Sequence, residues 1–151
     1  MKKMFFGFAF MMSIGMTHAQ MLNPVLWTFT SKKIAPKTYE LHLTAIIQSS
    51  WHLYSQTQPP DAIINPTTIL FNSNPLVILN GKPKEIGKME LYADKKLGIS
   101  ANQYSNKVEF VQKIKLKTNV KTNISGNVEY QTCDDKKCLP PKKLPFNLAL
   151  K

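Results

Sequence analysis

The residues of this chain whose type and spacing favour chemistry are its two cysteines, Cys133 and Cys138. They are separated by four residues within Gly126–Pro141, GNVEYQTCDDKKCLPP. The pattern predicts a β-hairpin in which each strand carries one cysteine. Such a pair is either a reactive dithiol that exchanges disulfides or an inert staple. The rest of the chain is then the scaffold that holds this hairpin at a surface.

The short loop between the cysteines weakens the staple interpretation without excluding it. Closing so short a loop is expected to contribute only about 2 kcal/mol, against nearly 5 kcal/mol for a hundred-residue loop. Exchange chemistry instead needs a thiolate, an exposed sulfur and a line of approach. Pro140 and Pro141 lack a backbone N–H, so the segment after Cys138 is predicted to leave an irregular docking edge for a partner's backbone.

A zinc site is the third interpretation of the cysteines. Cys133 and Cys138 could join His42 or His52 around the metal, and the four-residue gap is compatible with a ligand pair. No second paired motif accompanies them, and histidines are more often simple surface or half-buried side chains. We therefore predict neither a metal nor another cofactor.

The N-terminus has the pattern of a secretory signal peptide. Lys2 and Lys3 form a charged region, Met4–Ile14 is apolar but too short to span a bilayer, and Thr17-His18-Ala19 fits a cleavage site. We expect residues 1–19 to be removed and residues 20–151 to form one domain outside the cytoplasm. Cysteines of an exported chain usually pair.

Charge and composition argue against nucleic-acid binding. The formal charge is +11, and every basic residue is a lysine. Phosphate-binding sites usually use the planar fork of arginine, so dispersed lysines favour a solvated surface. We expect a soluble monomer that does not span the membrane and binds no nucleic acid.

Alternating hydrophobicity predicts an antiparallel β scaffold. The clearest strands are Val25–Thr30, Tyr39–Gln48 and Lys107–Lys117, each with one apolar and one wet face. Turn signals recur throughout, including Asn80-Gly81, and Glu85–Lys96 is irregular. We predict an all-β fold, an immunoglobulin-like antiparallel β-sandwich. Further strands are expected at Ser50–Gln56, Thr67–Phe71, Leu76–Leu79, Leu97–Ala101, Ile124–Thr132 and Leu144–Leu150.

Three segments resemble a known family. YQTCDDKKCLPP is similar to the cysteine segment of the N-terminal periplasmic domain of DsbD, the thiol:disulfide interchange protein. SWHLYSQ resembles the aromatic strand beside its cysteines, and KMELYADKK resembles its cap loop, which shields the active site. The three segments also follow one another in the family's order, and the resemblance spans about Val25–Leu150.

The resemblance implies an immunoglobulin-like redox carrier without a cofactor. It implies that Cys138 forms the mixed disulfide with partners and that Cys133 resolves it. It places His52 and Tyr54 beside the pair. It assigns the cap to three residues, Glu90, Leu91 and Tyr92.

The sequence departs from the family's pattern at several points. The cysteine gap is four residues rather than five, Leu91 replaces a Phe of the cap, and His52 replaces a flanking Tyr. The chain also lacks the family's membrane and thioredoxin portions, so it resembles a free-standing disulfide bond corrector protein. The expected partners are thioredoxin-like proteins and a separate membrane electron donor. The competing hypothesis is a non-catalytic binding module with a structural disulfide and an exposed aromatic patch of Trp51, Tyr54 and Tyr92.

Overall fold

Nine strands run through residues 22–95 and 99–150, which the computed structural model describes. This part of the chain has no helix, and therefore none that is long and apolar enough to cross a membrane. The predicted signal peptide, residues 1–19, lies outside the described residues. The strands are β1 Val25–Ala35, β2 Thr38–Ile47, β3 His52–Tyr54, β4 Thr68–Phe71, β5 Val77–Asp94, β6 Ile99–Leu116, β7 Thr122–Tyr130, β8 Thr132–Cys133 and β9 Lys142–Leu150.

The strands form two sheets in which neighbours are antiparallel. The larger sheet has the order β1-β2-β6-β3-β8, and β5 pairs with the other edge of the long strand β6. The smaller sheet has the order β4-β7-β9. The short strand β8 follows β7 directly in the chain but joins the larger sheet, so the cysteine segment crosses from one sheet to the other.

The core lies between the apolar faces that alternation predicted. The inward residues of β2, from Tyr39 to Ile47, are buried, and so are those of β6 from Val108 to Leu116. Trp27 of β1 packs against Phe110 at 5.8 Å and against Tyr130 of the smaller sheet at 5.4 Å between ring centroids. Burial of these faces is the main favourable term in folding. The all-β, immunoglobulin-like sandwich is therefore confirmed.

Two local predictions about β5 were wrong. Asn80-Gly81 is not a chain-reversing turn; it lies within β5, where the register with β6 shifts between Asn80 and Lys84. Gly81 has a φ of 70°, a left-handed conformation that glycine adopts without a steric penalty. The segment expected to be an irregular cap loop is also strand as far as Asp94, because β6 supplies a continuous pairing partner. A turn signal next to a long partner strand thus produced a bulge.

Candidate functional site

The two cysteines form a disulfide across a tight hairpin. Cys133 ends β8, and Cys138 pairs with it through a single antiparallel bridge, with 4.0 Å between the Cα atoms. The Asp134 N–H donates to the Lys137 carbonyl, and the Leu139 N–H donates to the Thr132 carbonyl. The predicted hairpin is confirmed, although Cys138 belongs to a single bridge rather than to a full strand.

The two sulfurs have different environments. Cys133 is only 4% exposed and belongs to a small buried cluster with Tyr54 and Ala101. Cys138 is exposed. Thiol–disulfide exchange depends on which sulfur an attacking thiolate can reach, so this difference in exposure distinguishes the two cysteines chemically.

A cleft of about 440 Å³ opens over the disulfide. Both cysteines line it, together with His52 and Tyr54 of β3 and Tyr92 of β5. It is an open depression with apolar walls and a few polar groups, the usual character of a binding site. The structure therefore brings together the cysteines, both predicted flanking residues and one residue of the predicted cap.

Strand pairing sets the cysteines in a row with His52. His52 is the register partner of Cys133, which in turn is bridged to Cys138. On the other side of β3, Leu53 pairs with Tyr104, which brings Ser105 beside His52. Directly paired residues on adjacent strands point to the same face with Cβ atoms about 5 Å apart. The row Ser105, His52, Cys133, Cys138 thus lies across four backbone segments.

Hydrogen bonds fix the histidine ring within this row. The Ser105 hydroxyl donates to Glu90 Oε2 at 3.0 Å, and its oxygen lies 3.1 Å from His52 Nδ1. The other ring nitrogen, Nε2, faces the hairpin loop, 3.7 Å from the Asp135 carboxylate. Glu90 of the predicted cap therefore contacts the site through Ser105, although it does not itself line the cleft.

Tyr54 is a buried residue of the cleft lining, and a hydrogen bond to its backbone fixes its position. Its carbonyl accepts a hydrogen bond from Thr67 Oγ1 at 2.5 Å. Burial raises the pKa of the Tyr54 phenol, and its electrostatic interaction with Tyr92 raises it further. Tyr54 therefore stays neutral beside the disulfide throughout the physiological pH range.

The predicted cap residues lie at the end of β5 and differ in exposure. Leu91 is 66% exposed and is not part of the cleft wall, whereas Tyr92 is 48% exposed and does line it. Glu90 is half-buried. With Leu91 turned away, Tyr92 is the cap residue that reaches the cleft.

A half-buried carboxylate anchors β5 just before this cap. Glu85 accepts hydrogen bonds from the Ser55 hydroxyl at 2.7 Å, from the Gln56 N–H at 2.6 Å and from the Tyr104 hydroxyl at 2.7 Å. Burial, followed by the Glu85 hydrogen bond and charge, raises the pKa of Tyr104. A register shift between Gly87 and Met89 follows this anchor. The cap is thus continuous with a well-fixed part of the sheet.

Pro140 and Pro141 are both exposed, and Leu139 separates them from Cys138. Neither proline has an N–H to donate, so this segment offers no backbone donor between Leu139, whose N–H pairs with the Thr132 carbonyl, and Lys142, where β9 begins. The aromatic patch of the competing hypothesis is not present as such, because Trp51 and Tyr54 are buried and Tyr92 alone of the three is exposed.

Zinc ligation through the cysteines has no support in the described residues. The sulfurs are joined in a disulfide, and His42 lies on β2, which contributes nothing to the cleft. The residues that the structure describes contain no group of three His, Cys, Asp or Glu side chains that could hold a metal ion.

The sequence profile of the family described as "Thiol:disulfide interchange protein DsbD, N-terminal" matches residues 20–150. The chain belongs to the DsbD N-terminal family. No functionally curated protein matches it.

Solved structures of DsbD N-terminal domains share the fold. The reduced DsbD N-terminal domain of Neisseria meningitidis aligns with a TM-score of 0.54 at 16% identity, covering 84% of this chain and 88% of that one. The complex of the DsbD and PilB N-terminal domains from N. meningitidis aligns with a TM-score of 0.52 at 15% identity, covering 85% and 87%. The N-terminal periplasmic domain of ScsB from Proteus mirabilis aligns with a TM-score of 0.50 at 15% identity, covering 78% of this chain and 44% of that one.

The hairpin loop of this DsbD N-terminal-family domain is closed by Asp134. Its Oδ1 accepts hydrogen bonds from the backbone N–H groups of Lys136 and Lys137, each at 2.8 Å. The bond from the Lys136 N–H lowers the pKa of Asp134 most, and the bond from the Lys137 N–H and the charges of both lysines lower it further, against a smaller opposing effect of desolvation. The ionised carboxylate thus holds the turn that brings Cys138 back to Cys133.

Replacing Asp134 with Ala is expected to speed amide hydrogen exchange at Lys136 and Lys137 by about tenfold, since a hydrogen bond to a charged acceptor is lost at each. Exchange measured by NMR tests this, with Asp135→Ala as the matched control because the Asp135 side chain caps neither amide. Because folding lowers the Asp134 pKa, the contribution is present above the unfolded value of 3.8 and is lost as the pH falls below it. Equal exchange rates in the two variants would contradict this role.

Sequence reasoning missed Ser105 and Glu85, although both position the site. Neither belongs to a motif, and their roles depend on the pairing of β6 with β3 and β5, which are distant in the chain. The alternation signal also stops at Asn106, which has a φ of 64°. Alternating hydrophobicity does not reveal a residue with a positive φ inside a strand. The part of β6 that carries Ser105 was therefore not predicted.

Proposed function

We propose that this domain is a thiol–disulfide exchange carrier outside the cytoplasm. It passes reducing equivalents through Cys133 and Cys138, from a membrane or thioredoxin-like donor to periplasmic thiol proteins. The observation that carries the proposal is the pairing of an exposed Cys138 with a buried Cys133 in one cleft. Family membership supports the same chemistry.

The carrier cycle follows from the exposure of the two sulfurs. In the reduced domain the Cys138 thiolate attacks a partner disulfide, and the partner's second sulfur leaves as a thiolate. Cys133 then attacks Cys138 Sγ, which restores the internal disulfide and releases the reduced partner. Cys133 is suited to this resolving role because it lies directly beside Cys138 and is hidden from other disulfides.

The other residues around the disulfide serve recognition. The backbone at Pro140 and Pro141, which has no N–H donors, is the docking edge, and His52 and Tyr54 flank the disulfide in the cleft. Glu90, Leu91 and Tyr92 form the cap, with Tyr92 as the residue that covers the cleft. Residues 1–19 are the export signal, residues 20–151 the single, monomeric domain, and the partners are thioredoxin-like proteins together with a separate membrane electron donor.

A Cys133→Ala variant is expected to accumulate a stable mixed disulfide between Cys138 and a periplasmic thioredoxin-like protein, because the resolving thiol is gone. Non-reducing electrophoresis of an extract, followed by mass spectrometry of the adduct, detects it. Cys138→Ala is the matched control and should trap nothing. Absence of any adduct with Cys133→Ala, or a midpoint potential below about −300 mV, would identify a structural disulfide instead.

A further inference from the structure

A proton must move whenever the disulfide opens. Reduction begins when a donor thiolate attacks Cys138 Sγ, a new S–S bond forms to the donor, and the Cys133–Cys138 bond breaks. The electron pair of that bond leaves with Cys133 as a thiolate. Because Cys133 is 4% exposed and packs with Tyr54 and Ala101, this charge forms in an apolar environment where it is costly.

We propose that His52 supplies this proton to the Cys133 sulfur and takes it back when the disulfide closes, with Ser105 and Glu90 as positioning residues. The inference rests on the proposed carrier function and adds a proton-transfer residue to it. His52 is the direct cross-strand partner of Cys133 and lines the same cleft. An imidazole changes charge near pH 6.5, so it can give and take a proton under physiological conditions.

The hydrogen bonds set which nitrogen exchanges the proton. Glu90 is an acceptor when ionised, so the Ser105 hydroxyl must direct its hydrogen to Glu90 Oε2 at 3.0 Å. The Ser105 oxygen is then the acceptor for His52 Nδ1–H at 3.1 Å. Nδ1 therefore keeps its hydrogen, and Nε2, which faces the hairpin loop, is the nitrogen that gains and loses a proton. This is the arrangement by which a third group orients a base in nucleophilic sites.

Few groups near His52 compete with it for this role. Asp135 of the hairpin loop lies 3.7 Å from Nε2, Asp134 lines the same cleft, and Glu90 acts through Ser105 from β5. The phenols facing the cleft are Tyr54 and Tyr92. The raised pKa of Tyr54 prevents it from giving up its proton at neutral pH. The residues that β6 contributes to the cleft, Ser100, Ala101 and Gln103, are uncharged, and so is Ser105.

In the overall balance a dithiol donor is oxidised and the Cys133–Cys138 pair is reduced. After the first step the donor's second thiolate attacks its own sulfur in the mixed disulfide and releases Cys138 as a thiolate. Cys138 is exposed, so water can protonate it. Cys133 alone requires an internal proton donor, and His52 regains its proton from solvent at the open cleft.

The pH dependence of disulfide reduction by dithiothreitol tests this inference. The rate constant is measured between pH 5 and pH 8.5 by acid quenching and mass spectrometry, and is divided by the reagent's thiolate fraction. For the unmodified protein the normalised rate is expected to rise about tenfold as the pH falls through the imidazole range, below the hundredfold typical of general acids because thiolates leave readily. His52→Gln should show a flat profile. His42→Gln is the matched control and should match the unmodified protein, since His42 also contacts a carboxylate, Glu109 at 3.0 Å, but lies outside the cleft.

Ser105→Ala and Glu90→Gln are expected to displace the midpoint of the pH dependence of the normalised reduction rate. These two variants test the proposed role of His52 if His52→Gln does not fold. The inference is overturned if the unmodified protein has a flat profile, if His52→Gln retains the rise, or, where only the other two variants fold, if both keep the original midpoint. Failure of the carrier function itself is different: dithiothreitol would then leave the disulfide intact at every pH, and Cys133→Ala would trap no partner. That result would overturn both proposals.

Discussion

Replacing Cys138 with Ala is expected to lower the rate of disulfide exchange by on the order of a hundredfold, although Cys133 is retained. The surviving thiol is buried against Tyr54 and Ala101, so a reagent reaches it only after local opening. An opening that costs about 3 kcal/mol lowers the rate by about this factor. The measurement is a stopped-flow reaction with an aromatic disulfide reagent that releases a coloured thiolate.

Cys133→Ala is the matched control for this measurement. It leaves the exposed thiol, so it should react at the rate of an accessible cysteine. Both variants replace one cysteine with alanine, at positions that face each other across the hairpin. They therefore have the same composition and differ only in which cysteine remains. Equal rates would show that the exposure of the oxidised form does not govern reactivity, and the assignment of Cys138 as the attacking sulfur would then be wrong.

Strand alternation predicted the scaffold well because it has a simple physical cause. Side chains on a strand point to opposite faces, and in the larger sheet one face is buried. The apolar positions of β2 and β6, such as Leu43 and Phe110, therefore reveal both the strand and its orientation. The hairpin was predictable for a similar reason, since its two strands are adjacent in the chain and need no distant partner.

The parts of the site that depend on distant pairing were not predictable in the same way. His52 and Tyr54 were placed beside the cysteines by resemblance, but the row with Ser105 follows from the register of β3 with β6 and β8. The cap was expected to be a loop from the family resemblance, and the charged residues that make Glu85–Lys96 irregular agreed with that expectation. An edge strand needs no apolar face when its neighbour supplies the hydrogen bonds, so composition alone misjudged it.

The cysteine hairpin depends on the smaller sheet for its support. The chain leaves that sheet at Tyr130, forms the hairpin against the larger sheet, and returns at Lys142, which is the register partner of Tyr130 in β9. Both ends of the hairpin are therefore fixed by the β7–β9 ladder. Strand β7 also pairs with β4, so the packing of β4 against β7 affects how firmly the two ends of the hairpin are held.

Gly126→Ala is expected to lower the free energy of unfolding by about 3 kcal/mol and the Tm by about 10 °C, because it disturbs the packing of β4 against β7. Gly126 lies in β7 between Phe71 of β4 and Phe146 of β9. A Cβ at this position would overlap the Leu70 carbonyl oxygen and lie 2.7 Å from Phe146 Cζ. The Leu70 oxygen belongs to the backbone, so relief requires β4 to move away from β7.

Gly81→Ala is the matched control, measured beside it by urea and thermal unfolding. Gly81 has a φ of 70°, but a Cβ added there would meet no heavy atom within 4 Å, so the cost is backbone strain alone, about 1 kcal/mol. Gly126→Ala should also loosen the hairpin, which hydrogen exchange at Thr132 would detect, because β7 carries one of its ends. If the two substitutions destabilise the domain equally, the tight contact of β4 with β7 is wrong, and β4 does not contribute to the hairpin's support.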